Sequence, residues 1–402
     1  MDLDAFRWLL SSPGQALLES ASRVYDEHAG DPVRTAGALR REAAGEHVAA
    51  ALTQVSLRRR AAAKFGEPAG RMYFTPDGLE QSTRTRVATH RAARVALASP
   101  ASVLDAGCGI GGDLLAFARA GLTVAGVDRD PLSVAVAQAN LDSLGLGGAV
   151  TVADAAELDL SPFGVVFADP SRRDARGRVF DADGWSPPWS FVERLLVGPA
   201  CVKVAPGIPH DMVPDGVEAE WVSDAGAVKE AALWSTYLAT AKRRATVIPS
   251  PRRAQDGATR SGQSAGGLAT ITDADDSDDA VRTVGRFLYE PDGAVIRAGL
   301  VTAVAAGVRG GLVDPKIAYV TGDEAFRTPF ARGFEVVEAL PYKEKQLRAA
   351  LRERNIGSLT IKKRGVAVAP DQLRKRLALH GDEAATLVLT RAAGKGTALL
   401  VL

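Results

Sequence analysis

The chain has 402 residues, is 46% apolar and 24% charged, and carries a formal net charge of +1. At roughly 150 residues per domain this length implies two or three domains of ordinary soluble composition, and the balanced charge does not by itself announce a nucleic-acid partner. The two cysteines, Cys108 and Cys201, lie far apart, which excludes a disulfide framework or a zinc-ligand spacing.

The expected setting is therefore reducing and cytoplasmic. No apolar run approaches the roughly 20 residues that span a bilayer, and the N-terminus lacks a signal-peptide pattern, so no membrane and no metal are expected.

Residues 1–98 read as a helical domain. Ala, Leu, Arg and Glu dominate, and Leu39, Ala43, Val48, Ala51, Leu52 and Val55 recur at helical spacing. Pro68, Gly70, Pro76 and Gly78 place a loop within it. From residue 99 to 248 short apolar strands alternate with helices. The strands are Ser102–Leu104, Leu122–Val127, Val150–Val152, Gly164–Ala168 and Cys201–Val204; helices start at Gly112 and Pro131. Alternation with short connections predicts a mostly parallel sheet covered on both faces. Val217–Val222 and Glu230–Thr240, separated by Asp224-Ala225-Gly226, predict an antiparallel pair. Residues 249–280, rich in Gly, Ser and Asp, read as a flexible linker. Residues 281–402 form a third, α+β unit, with strands at Leu359–Ile361 and Thr386–Leu389 and helices at Lys343–Arg354 and Asp371–Leu379.

The first strong motif is Asp105-Ala106-Gly107-Cys108-Gly109-Ile110-Gly111-Gly112-Asp113, between a strand and a helix. Glycines there permit positive φ and let the backbone approach a ligand. Gly107, Gly109 and Gly112 also satisfy the dinucleotide pattern G-x-G-x-x-G. Context favours S-adenosylmethionine instead. Asp105 stands where it can meet the methionine ammonium. Asp128, after the second strand, suits the ribose hydroxyls. Asp154, after the third, suits the adenine amino group, with Ala155 beside the ring. Each acid alone has a plain alternative as a helix cap or solvated turn residue; Asp113 reads as a cap for the helix dipole.

The second motif is Ala168-Asp169-Pro170-Ser171-Arg172-Arg173, closing the fourth strand. The stretch Ser102–Thr246 resembles the class I methyltransferases, which implies a Rossmann-like core with a seven-stranded sheet bearing an antiparallel end strand. In that resemblance Asp169 and Pro170 match the acceptor motif of base-amino methyltransferases, whereas Ser171 and Arg172 replace its proline and aromatic residue. Asp169 would accept from an exocyclic amine, and Arg172 would stack on a base or hold a phosphate; a surface ion pair of Arg172 and Arg173 with Asp174 or Asp181 is the bland alternative. Ser186-Pro187-Pro188-Trp189 imitates the same motif but follows no strand and reads as a helix start. Lys203, inside the fifth strand, either snorkels to the sheet end or acts near the cleft.

Charge is clustered. Residues 34–94 hold 12 Lys and Arg against 5 Asp and Glu; residues 341–376 hold 11 against 3. Such clusters fit phosphate contacts, though one run alone is more often a solvated helix face. With Phe74–Thr83 and Leu288–Gly299, the layout resembles bacterial methyltransferases with a THUMP-like C-terminal domain, which implies RNA as partner. Glu80-Gln81-Ser82-Thr83 either forms a lid over the cofactor or packs the N-terminal helix on the core. The leading expectation is methylation of an RNA base, through basic N- and C-terminal regions. A small-molecule or protein methyltransferase, and a cofactor-binding RNA chaperone or assembly factor, remain as alternatives.

Overall fold

The structure, a computed structural model, describes residues 1–170, 188–250 and 267–402 and the backbone of residues 173–174 and 177–178. The chain divides into two compact units. One comprises residues 1–204, 211–217 and 232–239; the other comprises 205–210, 218–231 and 240–402.

The first unit opens with α1 (Leu3–Leu9), α2 (Ser12–Glu27), α3 (Pro32–Leu39), α4 (Gly45–Phe65), α5 (Pro76–Gln81) and α6 (Thr85–Leu97). Their starts are written in side chains. Asp2, Ser11, Asp31 and Thr75 accept from first-turn amides, and Pro32 and Pro76 stand where a missing N–H costs nothing. Then follow β1 (Val103–Ala106), α7 (Gly112–Arg119), β2 (Val124–Asp128), α8 (Pro131–Ser143), β3 (Ala149–Val152), β4 (Val165–Ala168), β5 (Arg173–Asp174), β6 (Gly177–Arg178), α9 (Trp189–Val197) and β7 (Ala200–Val204). Neighbours β2–β3, β1–β2, β1–β4 and β4–β7 all pair in parallel. Their carboxyl ends therefore gather along one edge, the usual place for a ligand in such sheets.

The boundary at residue 98 marks a change of secondary structure but not a second core. Phe6, Leu18 and Val55 from the helices and Phe74 from the segment before α5 join Leu114, Phe117, Phe167 and Trp234 in one buried apolar cluster. Amphipathic helices must bury their stripes somewhere, and here the α/β layer receives them.

Strands β8 (Glu218–Asp224) and β9 (Ala227–Trp234) are joined by Ala225 and Gly226, at φ 55° and 81°. Positive φ at both positions is the backbone of a two-residue hairpin, so the pair runs antiparallel. The second strand thus begins before Glu230 and stops short of Thr240. β10 (Arg243–Ile248) lies parallel to β8, and β11 (Ala269–Thr272) pairs antiparallel with β10. The full order is β11-β10-β8-β9-β7-β4-β1-β2-β3. The sheet has nine strands where the resemblance implies seven, and its antiparallel β9 sits inside the sheet. The linker expected over 249–280 needs correction at its end. Thr270, Ile271 and Thr272 are β-branched, and Ala269–Thr272 alternates buried with half-buried residues, so it completes an edge. Residues 251–266 of that linker lie outside the described residues.

The C-terminal sheet holds β12 (Phe287–Pro291), β13 (Gly311–Asp314), β14 (Ile317–Gly322), β15 (Ala331–Leu340), β16 (Ile356–Lys363), β17 (Glu383–Ala392) and β18 (Lys395–Val401), in the order β13-β14-β12-β15-β18-β17-β16. Helices α10 (Gly293–Ala298) and α11 (Val301–Gly307) precede β13; α12 (Glu344–Glu353) and α13 (Pro370–Leu377) flank β16 in sequence. Period-2 alternation divides β17 and β18 cleanly. Leu387, Leu389, Ala398 and Leu400 pack with Leu347, Leu351, Leu373 and Leu377 of the helices. Val388, Leu399 and Val401 face a second cluster with Tyr319 and Phe334.

Candidate cofactor and acceptor cleft

A cleft of about 570 Å³ opens at the carboxyl edge of β1, β2 and β4. Its wall includes Asp105, Gly107, Gly109, Asp128, Asp154, Ala155 and Asp169 from the sheet side. Thr75, Gly78, Gln81, Ser82 and Thr83 close it from the N-terminal helices.

Asp105 is the penultimate residue of the buried strand β1 and is 1% exposed. The Leu114 amide donates to its carboxylate, while Oδ2 is buried with no partner among the described residues. Burial, and then the charge of Asp169, push this carboxyl up to about 7. An orphaned carboxylate oxygen in a cleft is a seat for a cation.

The turn itself is built by positive φ. Gly107, Gly109 and Gly111 stand at 89°, 54° and 89°. A side chain on Gly107 or Gly109 would point into open space, as a ligand cradle requires. Gly111 departs from the cofactor-binding role that the motif suggests for it. It is buried, caps α7 in the left-handed conformation, and its missing Cβ would lie 3.4 Å from Ala137. Its role is to let α7 start against α8, and it does not line the cleft.

Asp128 closes β2. Its Oδ2 accepts from the Gly109 amide at 2.9 Å and its Oδ1 from the Asp130 amide at 2.9 Å. The carboxylate thus ties the glycine turn to the next strand end, and each oxygen keeps a second lone pair. Asp154 pairs with Arg129 and accepts from the Ala156 amide at 2.9 Å. The Arg129 guanidinium holds it below the usual carboxylate range. Ala155 beside it is buried.

Asp169 follows β4 and meets the ammonium of Lys203 from β7. Pro170 is buried and does not line the cleft. Arg172 lies outside the described residues, as do residues 185–187. Pro188 caps α9, so the imitation motif is a helix start, and Trp189 bonds Glu193 at 3.0 Å.

Two features escape sequence reasoning. Asp113 does more than face a helix dipole: it forms a buried ion pair with Arg91 of α6. Asn140 of α8 accepts from the Tyr73 amide at 2.6 Å and donates to the Tyr73 and Ile110 carbonyls, pinning the N-terminal segment to the glycine turn. Of Glu80-Gln81-Ser82-Thr83, the last three line the cleft and Glu80 does not, while Ser82 and Thr83 pack on Gly112. Gly78 is as tightly fitted: a Cβ there would stand 2.4 Å from Ile110 Cγ2 and 2.6 Å from Thr75 Oγ1. Gly78→Val is expected to displace the glycine turn, cost about 1–3 kcal/mol and weaken cofactor binding, measured by thermal melting and calorimetry. A variant with unchanged melting and affinity would show that the α5 wall yields freely.

The donor set fits S-adenosylmethionine. Asp105 suits its ammonium, Gly107 and Gly109 its approach to the backbone, Asp128 its ribose, and Asp154 with Ala155 its adenine. Among the described residues no cluster of His, Cys, Asp or Glu could hold a metal, and no described helix is long and apolar enough to cross a membrane.

Comparison with known proteins points to the same cofactor class. A methyltransferase domain family matches residues 103–172, a THUMP domain-like family residues 331–402, and a domain of unknown function residues 2–61. The THUMP-like match starts well after residue 281, leaving β12, β13 and β14 outside it although they share its sheet. Proteins from two strains of Mycobacterium tuberculosis, each named an uncharacterized S-adenosylmethionine-dependent methyltransferase, are 38% identical over 349 residues, 83% of this chain and 90% of theirs. A crystal structure titled as that of a "putative methyltransferase" from Porphyromonas gingivalis W83 superposes with a TM-score of 0.69 at 22% identity, over 89% of this chain and 91% of that one, which shows the shared fold.

Proposed function

The chain belongs to the S-adenosylmethionine-dependent methyltransferases, and on that premise we propose that it methylates a base in RNA, at an exocyclic amine. The observation that carries the acceptor reading is Asp169. It ends β4 in the same cleft as Asp105 and Asp128, its side chain is 34% exposed, and Oδ1 has no partner among the described residues. A carboxylate so placed can accept from an amine while the lone pair attacks. S-adenosylmethionine, when bound, would supply an electrophilic methyl group to the amine nitrogen and leave as the neutral thioether, and Asp169 would receive the proton that the nitrogen loses. The protein's share is positioning and exclusion of water. Asp105, Gly107, Gly109, Asp128, Asp154 and Ala155 would hold the cofactor, and Asp169 the acceptor.

The RNA reading leans on the C-terminal region. Lys343, Lys345, Lys363 and Lys375 are exposed and have no partner among the described residues. They lie within the THUMP-like match and suit phosphates. The N-terminal basic run supports it less. Arg58 donates to Met72, Arg59 pairs with Asp26, Lys64 donates to Leu79 and Arg91 is buried on Asp113. This use of cations inside the fold favours the second reading, a small-molecule or protein acceptor. A cytoplasmic location is proposed as well, supported by two buried free cysteines.

The decisive experiment is mass analysis of nucleosides in rRNA and tRNA from a strain lacking the gene. One methylated nucleoside is expected to vanish and to return on complementation. An unchanged profile sinks the RNA reading, and binding to RNA absent even at low salt would favour the second one.

A further inference from the structure

We infer that Lys203 is a positioning residue for methyl transfer: its ammonium fixes one oxygen of Asp169, so that the other oxygen faces the acceptor. The inference deepens the amine reading proposed above and rests on it.

The register creates the pair. β4 and β7 run parallel with Phe167 opposite Cys201 and Ala168 opposite Val202. One step further along, Asp169 comes level with Lys203. Every other residue of β7 is buried and small or apolar, as a central strand requires; Lys203 alone is half-buried. A lysine in that row is costly unless its charge has a partner. It finds two. Nζ meets Asp169 Oδ2 and donates to Thr83 Oγ1 at 3.3 Å. Thr83 is itself buried and lines the cleft. Lys203 therefore ties the acceptor carboxylate to the N-terminal wall.

The alternative is a lysine that merely fills space. A neutral filler would not disturb the charges around it, but a neighbour registers this one. Lys64 is lowered to about 8 by burial, then by the charges of Lys203 and Arg84. Asp105 is raised by burial and then by the charge of Asp169, the group that Lys203 neutralises. The consequence is a division of labour. Asp169 has a fixed cation and is oriented for the acceptor. The Asp105 Oδ2 has no hydrogen-bond partner among the described residues and is left for the cofactor's ammonium.

Lys203→Met removes the ammonium and keeps the stem; Lys203→Arg restores a cation with a different fork. With labelled S-adenosylmethionine and total RNA from the deletion strain, Lys203→Met is expected to lower kcat about 100-fold, as expected for a misplaced group in the cleft. KM for the cofactor should stay within about threefold, and Lys203→Arg should recover part of kcat. Wild-type kcat in Lys203→Met overturns the inference. If the wild type itself labels no RNA, the RNA reading fails alone, and a second readout decides for Lys203. Affinity for S-adenosylhomocysteine is measured across about pH 5.5–8.5, a window around the usual limits of a raised carboxyl. Without the ammonium, the charge of Asp169 acts on Asp105 unopposed, so the midpoint of the affinity rise should move up by about half a pH unit or more. Asp169→Asn in the Lys203→Met background should bring it back. A midpoint unmoved by Lys203→Met in a folded protein overturns the inference, because a space-filling side chain would leave it in place.

Discussion

Asp105→Asn is expected to raise the melting temperature of the cofactor-free protein at pH 8 while lowering its affinity for S-adenosylhomocysteine by about 30- to 100-fold. Both effects have one source. The carboxyl is 1% exposed, and Oδ2 has no partner among the described residues. Burial, then the charges of Asp169 and Asp128, lift it to about 7 from an unfolded value of 3.8; Arg91 and the Leu114 amide oppose the rise. Between those values the folded protein holds a proton that the unfolded chain has released. Stability is therefore full below the unfolded value and falls as pH rises through about 7. By pH 8 the folded protein has lost at most about 4 kcal/mol of stability relative to one with an unshifted carboxyl here. Asparagine removes the charge but not the burial, so a gain of about 1–3 kcal/mol, a few degrees, is expected. The ligand's ammonium reverses the sign by giving Oδ2 its partner. Wild-type affinity should then rise by up to about tenfold per pH unit below pH 7 and flatten above it, whereas Asp105→Asn should show no such rise. Melting curves and calorimetry at pH 6 and pH 8 check both halves. An Asp105→Asn protein that loses stability at pH 8 would mean that the carboxylate is needed by the fold itself.

This opposition between stability and binding is common where a site is left unsatisfied for its ligand. It also explains which parts of the site are legible in sequence. Asp105, Asp128 and Asp154 sit at strand ends, and strand ends can be read from period and turn chemistry. The cleft's sheet side is therefore visible from the residues alone. Its other side is not. Gly78, Ser82 and Thr83 reach the cleft because α5 packs on Ile110 and Gly112, a long-range contact that leaves no periodic trace. Gly111 misleads for a related reason. Its φ of 89° is foreseeable from the glycine itself, but its burial against Ala137 is not. Lys203 shows the limit most plainly. A lysine in an apolar strand signals that something is paired, yet only the β4–β7 register names Asp169 as the partner. β11 errs in the opposite direction: four strand-forming residues are masked by acidic and glycine-rich surroundings that dominate the composition.

Arg91→Met carries the second large effect. Arg91 of α6 and Asp113 in the first turn of α7 have side chains only 2% and 8% exposed, and the guanidinium lies 4.5 Å from the Phe167 ring centre. Removing one partner of such a pair leaves a carboxylate in an apolar setting, at a cost of about 3–5 kcal/mol. For a unit of this size that is a melting temperature lower by about 10 °C. Replacing both partners by apolar residues should restore most of the loss, because the pair's attraction is largely spent on its own desolvation. Arg91→Met/Asp113→Leu is therefore expected to melt near the wild type. A single variant within about 1 kcal/mol of wild type would show that water reaches Asp113. The pair also acts on the cleft. Arg91 is the cation that holds Asp105 down, so in Arg91→Met the pH at which S-adenosylhomocysteine binding rises should move upward. The helical segment would then do more than cover the sheet: through one buried arginine it sets the charge state of the residue that receives the cofactor.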